Sequence, residues 1–236
     1  MDSDELRAEQ RERWERAATG WGRRADRVEE TSRPVSRWML ELASARAREQ
    51  GIENVEFKRL ELEWIDLPAA SVDALLCRWG LMLCVDPSAA ASEMRRVLKP
   101  GGRLAVVVWD GPESNPWATV PTRGLVELGY MAAPEPTGPG MFALAPGSRL
   151  REVLDGAGFV EVLVEEIEVD RVYPGVDEYI AETIDLSAMF AGVWEKLDEG
   201  ERNAVMDRVG DLTAPYRSSD GSVRLPGRSL GAAASA

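Results

Sequence analysis

Val72-Asp73-Ala74-Leu75-Leu76-Cys77 and, one helix length later, Lys99-Pro100-Gly101-Gly102-Arg103-Leu104-Ala105-Val106-Val107-Val108-Trp109 decide the fold class of this chain. The first run is nearly all apolar, the mark of a strand covered on both faces. The second is the clearest strand in the sequence, entered through a lysine-proline-glycine-glycine stop and turn. Between them Asp86-Pro87 opens a helix that runs to about Leu98, with Ala90, Met94, Val97 and Leu98 on its inward side. Strand, helix, strand at this spacing is a parallel βαβ unit with a right-handed crossover. The chain is therefore read as α/β.

Toward the N-terminus, residues 4–21 form an amphipathic pattern with Leu6, Trp14, Ala17, Ala18 and Trp21 near one face. A second helix opens at Pro34, carries Val35, Trp38, Met39, Leu42 and Ala45, and stops at Gly51. Val55 and Phe57 suggest a short strand. Toward the C-terminus, residues 110–147 are rich in proline and glycine, with Trp117, Leu125, Tyr130 and Met141 between them. So long an interruption of a sheet reads as a lid or binding loop. A helix over 148–157, an alternating strand at Val160, Val162 and Val164, and a helical stretch over 176–214 follow. Tyr179, Ile180, Ile184, Phe190, Trp194 and Leu197 are the buried set expected of that stretch. Residues 222–230 supply a last strand, which Pro226 either interrupts or precedes. The organisation expected is N-terminal helices (1–50), a partial Rossmann-like core (51–110), a loop-rich lid insertion (111–147), a core helix and strand (148–175), a helical insertion (176–215), and a C-terminal strand and tail (216–236).

At 236 residues the chain is long enough for one substantial core, or a core with a small lid. Hydrophobic residues make up 44% and charged residues 29%. No apolar run reaches the roughly 20 residues of a membrane helix, and the charged start has no apolar signal region. Cys77 and Cys84 read as reduced core residues of a cytoplasmic protein. The formal charge of −13 disfavours a nucleic-acid surface, which needs a cationic footprint. Arg23, Arg24 and Arg27 do cluster, but Asp26, Glu29 and Glu30 stand among them, as on a solvated helix face. The chain contains no histidine, so Ser-His-Asp hydrolysis, histidine-ligated zinc and histidine general bases are excluded. No zinc, EF-hand or P-loop pattern occurs, and no metal is expected.

Several stretches together resemble class I S-adenosylmethionine-dependent methyltransferases, in the branch related to ubiquinone/menaquinone-biosynthesis enzymes. They are Gly51-Ile52-Glu53-Asn54-Val55-Glu56-Phe57, Glu61-Leu62-Glu63-Trp64-Ile65-Asp66-Leu67-Pro68, Ser71-Val72-Asp73-Ala74, Arg95-Arg96-Val97-Leu98-Lys99-Pro100-Gly101-Gly102-Arg103-Leu104 and Leu154-Asp155-Gly156-Ala157-Gly158-Phe159. The similarity extends over most of residues 12–230. It implies a Rossmann-like methyltransferase sheet under an N-terminal helical lid and an inserted lid region. It also implies that the last strand inserts beside the one at 103–109, and the strands near 160–166 and 224–234 are expected to pair antiparallel.

One piece of the family pattern is missing. Relatives carry, after the helix at 34–43, a strand ending in an E/DxGxGxG-like loop, then a helix and a second strand ending in an acid. Those glycines let the backbone approach the cofactor, and the acid accepts its ribose hydroxyl protons. Here Leu40-Glu41-Leu42-Ala43 passes directly into Ser44-Ala45-Arg46-Ala47-Arg48-Glu49-Gln50. A strand-helix-strand piece of roughly 40 residues is absent, which makes the sheet incomplete and predicts a rearranged sheet or a homodimer covering the exposed edge.

The resemblance implies S-adenosylmethionine as cofactor and a small-molecule acceptor; the acidic charge and the lack of a long apolar run add the expectation of no nucleic-acid or membrane partner. Where the family has an aspartate and a small residue beside the adenine amino group, this chain has Glu61 and Leu62. Trp64 and Ile65 are placed to contact the adenine ring, and Arg78 stands at a strand end where open α/β sheets bind ligands. The acceptor-side candidates are Trp14, Trp21, Asp110, Trp117 and Met141, with Trp79, Met82 and Trp109 also at lid or strand-end positions. Methyl transfer from a sulfonium relies on orientation and water exclusion, so no residue is singled out as catalytic. Three readings stand side by side: a methyltransferase, a degenerate non-catalytic relative that binds or scaffolds, and a natural protein that retains the segment this sequence lacks.

Overall fold

The computed structural model describes residues 61–133 and 140–236. In chain order the strands are β1 (Val72–Arg78), β2 (Leu98–Trp109), β3 (Val160–Glu168), β4 (Arg171–Tyr173), β5 (Val223–Leu225) and β6 (Arg228–Ser235). The helices are α1 (Pro87–Val97), α2 (Pro116–Glu127), α3 (Gly147–Gly156), α4 (Val176–Leu186), α5 (Ala188–Trp194) and α6 (Glu199–Thr213). The chain divides into two compact units. A sheet unit contains, of the described residues, 61–111, 140–169 and 228–236; a helical unit contains 112–133 and 170–227. The expected strand at 55–57 and the helices before it lie outside the described residues.

The sheet unit is an open Rossmann-like α/β sheet in the order β1-β2-β6-β3. β1 and β2 pair in parallel, Ala74 with Arg103 through Arg78 with Val107, and α1 is their crossover. Asp86 caps α1, its carboxylate accepting from the backbone N–H groups of Ser88 and Ala89, both at 3.0 Å. Ala90, Met94 and Val97 are fully buried on the inward side. The expected turn at 99–102 is a loop-out inside β2: Val72 pairs with Leu98, and the next pairing is Ala74 with Arg103. Gly102 is required there, because a Cβ would stand 2.9 Å from the Lys99 carbonyl oxygen and 3.0 Å from that of Asp73.

β6 lies beside β2, as the resemblance implied, and pairs antiparallel with β3 as expected; it is antiparallel to β2 as well. α3 packs against β3, β6 and α1. Val160 departs from the expected alternation. Glu161 takes φ +54° and the register slips between Val160 and Leu163, which turns Val160 outward while Val162 is buried.

In the helical unit β4 and β5 form a two-stranded antiparallel sheet beside α2, α4, α5 and α6. Its core holds Val120, Leu125, Tyr173, Tyr179, Ile180, Phe190, Val205 and Leu225. Two sequence expectations are corrected. Residues 111–147, read as loop-rich, contain the three-turn helix α2, started by Pro116 at its first position. Pro121 inside it removes the N–H that would bond the Trp117 carbonyl, and the Tyr179 hydroxyl donates to that carbonyl instead, at 2.6 Å. Residues 216–236, read as one strand and a tail, hold two strands in different sheets, split at Pro226-Gly227, with the second running to Ser235.

Cys77 and Cys84 are free and buried. Burial, with Glu63 nearby, pushes the Cys84 thiol up from 9.0 to about 12. Its neutral form is favoured by folding, so the associated stability is intact below about pH 9 and is lost as pH rises toward 12. At pH 8, Cys84 in the folded chain is expected to react with iodoacetamide roughly a thousandfold more slowly than in the urea-unfolded chain. Peptide mass spectrometry over time measures this; equal rates would show that the thiol is solvated.

Candidate functional site

Open α/β sheets place ligands at the carboxyl ends of their parallel strands. In the sheet unit that edge is built where β1 and β2 end together. Trp79, the residue after β1, adopts φ +54°, an outlier for a bulky side chain. Three contacts hold it there. Its N–H donates to the Val107 carbonyl at 2.7 Å, its indole stacks on Trp109 (centroids 4.5 Å apart, planes at 11°), and its Nε1–H donates to Ser229 Oγ at 3.1 Å. The Arg78 guanidinium lies 5.4 Å from the Trp79 ring centroid. The Trp109 N–H points at the Met82 sulfur, 3.4 Å away. Two indoles and a thioether thus line the strand ends.

Asp110 follows β2 and is 6% exposed. Its N–H donates to the Arg228 carbonyl at 3.0 Å, and its carboxylate accepts from Arg228 Nε at 2.6 Å. Arg228 also reaches Glu166 through Nη1 at 2.8 Å. The guanidinium therefore holds two carboxylates and carries the start of β6 to the end of β2. An aspartate gripped in this way is an oriented anion, suited to binding a hydrogen-bond donor. Trp109, Met82 and Asp110 are buried, and Trp79 is the half-buried member of the group.

The segment before β1 is held by carboxylates that sequence reasoning did not single out. Glu93 Oε2 accepts from the Ile65 N–H at 3.0 Å, and Glu63 Oε1 from the Val85 N–H at 2.8 Å. Arg96, bonded to Glu93, holds that carboxyl below the usual range and donates to the Ile65 and Leu67 carbonyls. Glu61 and Trp64 form a short bridge, with the Trp64 indole 77% exposed. Leu62 reaches toward Gly80, where an added Cβ would meet its Cδ1 at 3.3 Å. The sequence-predicted residues Glu61, Leu62, Trp64, Arg78 and Asp110 all belong to this unit.

Met141 also belongs to it, in a turn whose Gly140 N–H donates to the Met82 carbonyl at 3.1 Å. Trp117 belongs to the helical unit, where its ring carries the Arg171 guanidinium at 3.8 Å. Trp14 and Trp21 lie outside the described residues. Arg228 and Ser229 are the site residues that the sequence did not reveal. Their one signal, a Pro-Gly pair opening the last strand, gains meaning only once β6 is paired with Trp109 opposite Ser229. Among the described residues no group of three or more acidic or cysteine side chains could hold a metal, and no helix is long and apolar enough to cross a membrane.

Comparison with known proteins places residues 22–106 in a match to a methyltransferase domain. The chain is 39% identical over 75 residues to the uncharacterized methyltransferase YcgJ of Bacillus subtilis, covering 32% of this chain and 30% of that protein. It is likewise 39% identical over 78 residues to the ubiquinone/menaquinone biosynthesis C-methyltransferase UbiE of a Marinomonas species, covering 33% and 31%. The matched stretch thus spans about a third of each of these relatives. The crystal structure of the Bacillus subtilis YcgJ protein aligns over 84% of this chain and 77% of that one, at 19% identity and a TM-score of 0.44. The chain carries a stretch homologous to methyltransferase domains, on an open Rossmann-like sheet.

Proposed function

We propose that this chain serves S-adenosylmethionine-dependent methyl transfer to a small-molecule acceptor, with the carboxyl edge of β1 and β2 as its site. The observation that carries the reading is the 61–67 segment with its matching motif: Glu63 ties its start to Val85, just beyond the carboxyl end of β1, and Glu93 and Arg96 fix its later part against α1. The residues fit one end of the cofactor. Glu61 supplies a carboxylate acceptor for the adenine amine, and the exposed Trp64 indole and Leu62 supply apolar surface. When bound, the cofactor supplies an electrophilic methyl group on its sulfonium. Trp79, Trp109 and Met82 would exclude water from the acceptor, and Asp110, held by Arg228, would orient its polar edge.

The sequence supplies no glycine-rich loop and no ribose-binding acid, and this specific lack favours a second reading, a binding protein descended from such enzymes. A hydrogen bond to a charged group is worth about 1.5–3 kcal/mol; losing the pair from the ribose hydroxyls, with the backbone cradle gone as well, comes to about 4 kcal/mol or more, so an ordinary micromolar site becomes roughly millimolar. Calorimetric titration with S-adenosylhomocysteine is expected to give saturable binding near that strength, weakened roughly tenfold or more by Glu61→Ala. Absence of heat at several times that concentration would remove the methyl-transfer reading and leave the binding protein.

A further inference from the structure

Arg171 opens β4, and its residue is 4% exposed. Its Nη1–H donates to Glu182 Oε1 at 2.9 Å, and the Tyr173 hydroxyl donates to the same oxygen at 2.8 Å. The guanidinium sits 3.8 Å over the Trp117 ring, whose Nε1–H is turned to Asn115 Oδ1. The Tyr173 and Tyr179 rings adjoin at 4.7 Å, and the Tyr179 hydroxyl is spent on the Trp117 carbonyl. One donor is left over. The Arg171 Nε–H is buried and, among the described residues, has no hydrogen-bond partner.

Buried donors in native proteins are nearly always paired, so an orphan marks the place of an acceptor that the described residues do not supply. Two facts narrow its chemistry. Glu182 already neutralises the guanidinium, so a second carboxylate would put an unbalanced anion into a buried setting, and a neutral oxygen would not. An acceptor of the Nε–H lies in the guanidinium plane, and the aromatic neighbours Trp117 and Tyr173 favour a flat molecule there.

We propose that Arg171, Trp117 and Tyr173 form a binding site for the carbonyl oxygen of a small, flat, uncharged molecule, with the Arg171 Nε–H as donor. Trp117 is half-buried. The site lies wholly within the helical unit and does not rest on the methyl-transfer reading.

The test uses the full chain labelled with ¹⁵N-arginine, the Arg171 Nε–H resonance being identified by its loss in Arg171→Lys. Benzamide is expected to shift that resonance saturably, and benzoate to bind at least about tenfold more weakly, since it adds the unbalanced charge. The double variant Arg171→Met with Glu182→Gln removes both charges together and is expected to abolish benzamide binding in calorimetry. Benzoate binding as tightly as benzamide would overturn the neutral-acceptor chemistry. A resonance that benzamide leaves unmoved while it exchanges magnetisation with a long-lived internal water would overturn the site, as would unchanged binding by the double variant.

Discussion

Replacing Glu182 by alanine is expected to cost about 3–5 kcal/mol of unfolding free energy, because it strands the Arg171 charge in the core of the helical unit. Both side chains are nearly inaccessible, at 5% and 3%, and Nη1 and Oε1 meet at 2.9 Å. The alanine also takes the acceptor from the Tyr173 hydroxyl, which burial already keeps neutral by raising its pKa. Urea unfolding followed by circular dichroism measures the loss. Glu182→Gln, which keeps an acceptor oxygen but not the charge, should fall between wild type and alanine. A cost under about 1 kcal/mol would mean that the guanidinium regains water, and the buried pair would then contribute little.

Leu154→Ala is expected to cost about 2–5 kcal/mol in the sheet unit. Leu154 is fully buried on α3, which packs on β3, β6 and α1, so truncation leaves a cavity that three elements would have to close. Leu163→Ala is the comparison. That side chain is 54% exposed on β3, and its loss should cost about 0.5 kcal/mol or less. Equal losses in the two variants would contradict the assignment of inner and outer positions on this edge of the sheet.

The parts of the fold that the sequence made legible are those with local causes. Met94 and Val97 recur at helical spacing and are buried, Asp86-Pro87 begins α1, and the apolar runs at 72–77 and 103–109 are parallel strands. The buried set of the helical stretch was legible for the same reason: Tyr179, Ile180, Phe190 and Leu197 are buried, and Ile184 and Trp194 pack partly against them. Helix α2 was not legible, since Pro116 and Pro121 read locally as breakers. Its missing hydrogen bond is made good by Tyr179, 58 residues after Pro121, and no local pattern encodes that donor. Asp110 was legible as a polar strand-end residue, but its Arg228 partner lies 118 positions away.

By itself the sequence determined the α/β class, the βαβ unit, the helix start at Asp86 and the apolar residues that α1, α4 and α5 bury. These follow from periodicity and capping, which act over a few neighbouring residues. Only the tertiary structure decided that Val223–Leu225 and Arg228–Ser235 join different sheets, that Val160 turns outward at the Glu161 bulge, and that Trp79 is bent onto Trp109 and Ser229. Each of these depends on partners far along the chain. Strand pairing, ring stacking and buried ion pairs gain their energy only when distant segments meet, and a strained φ persists only where such contacts overcome its local cost.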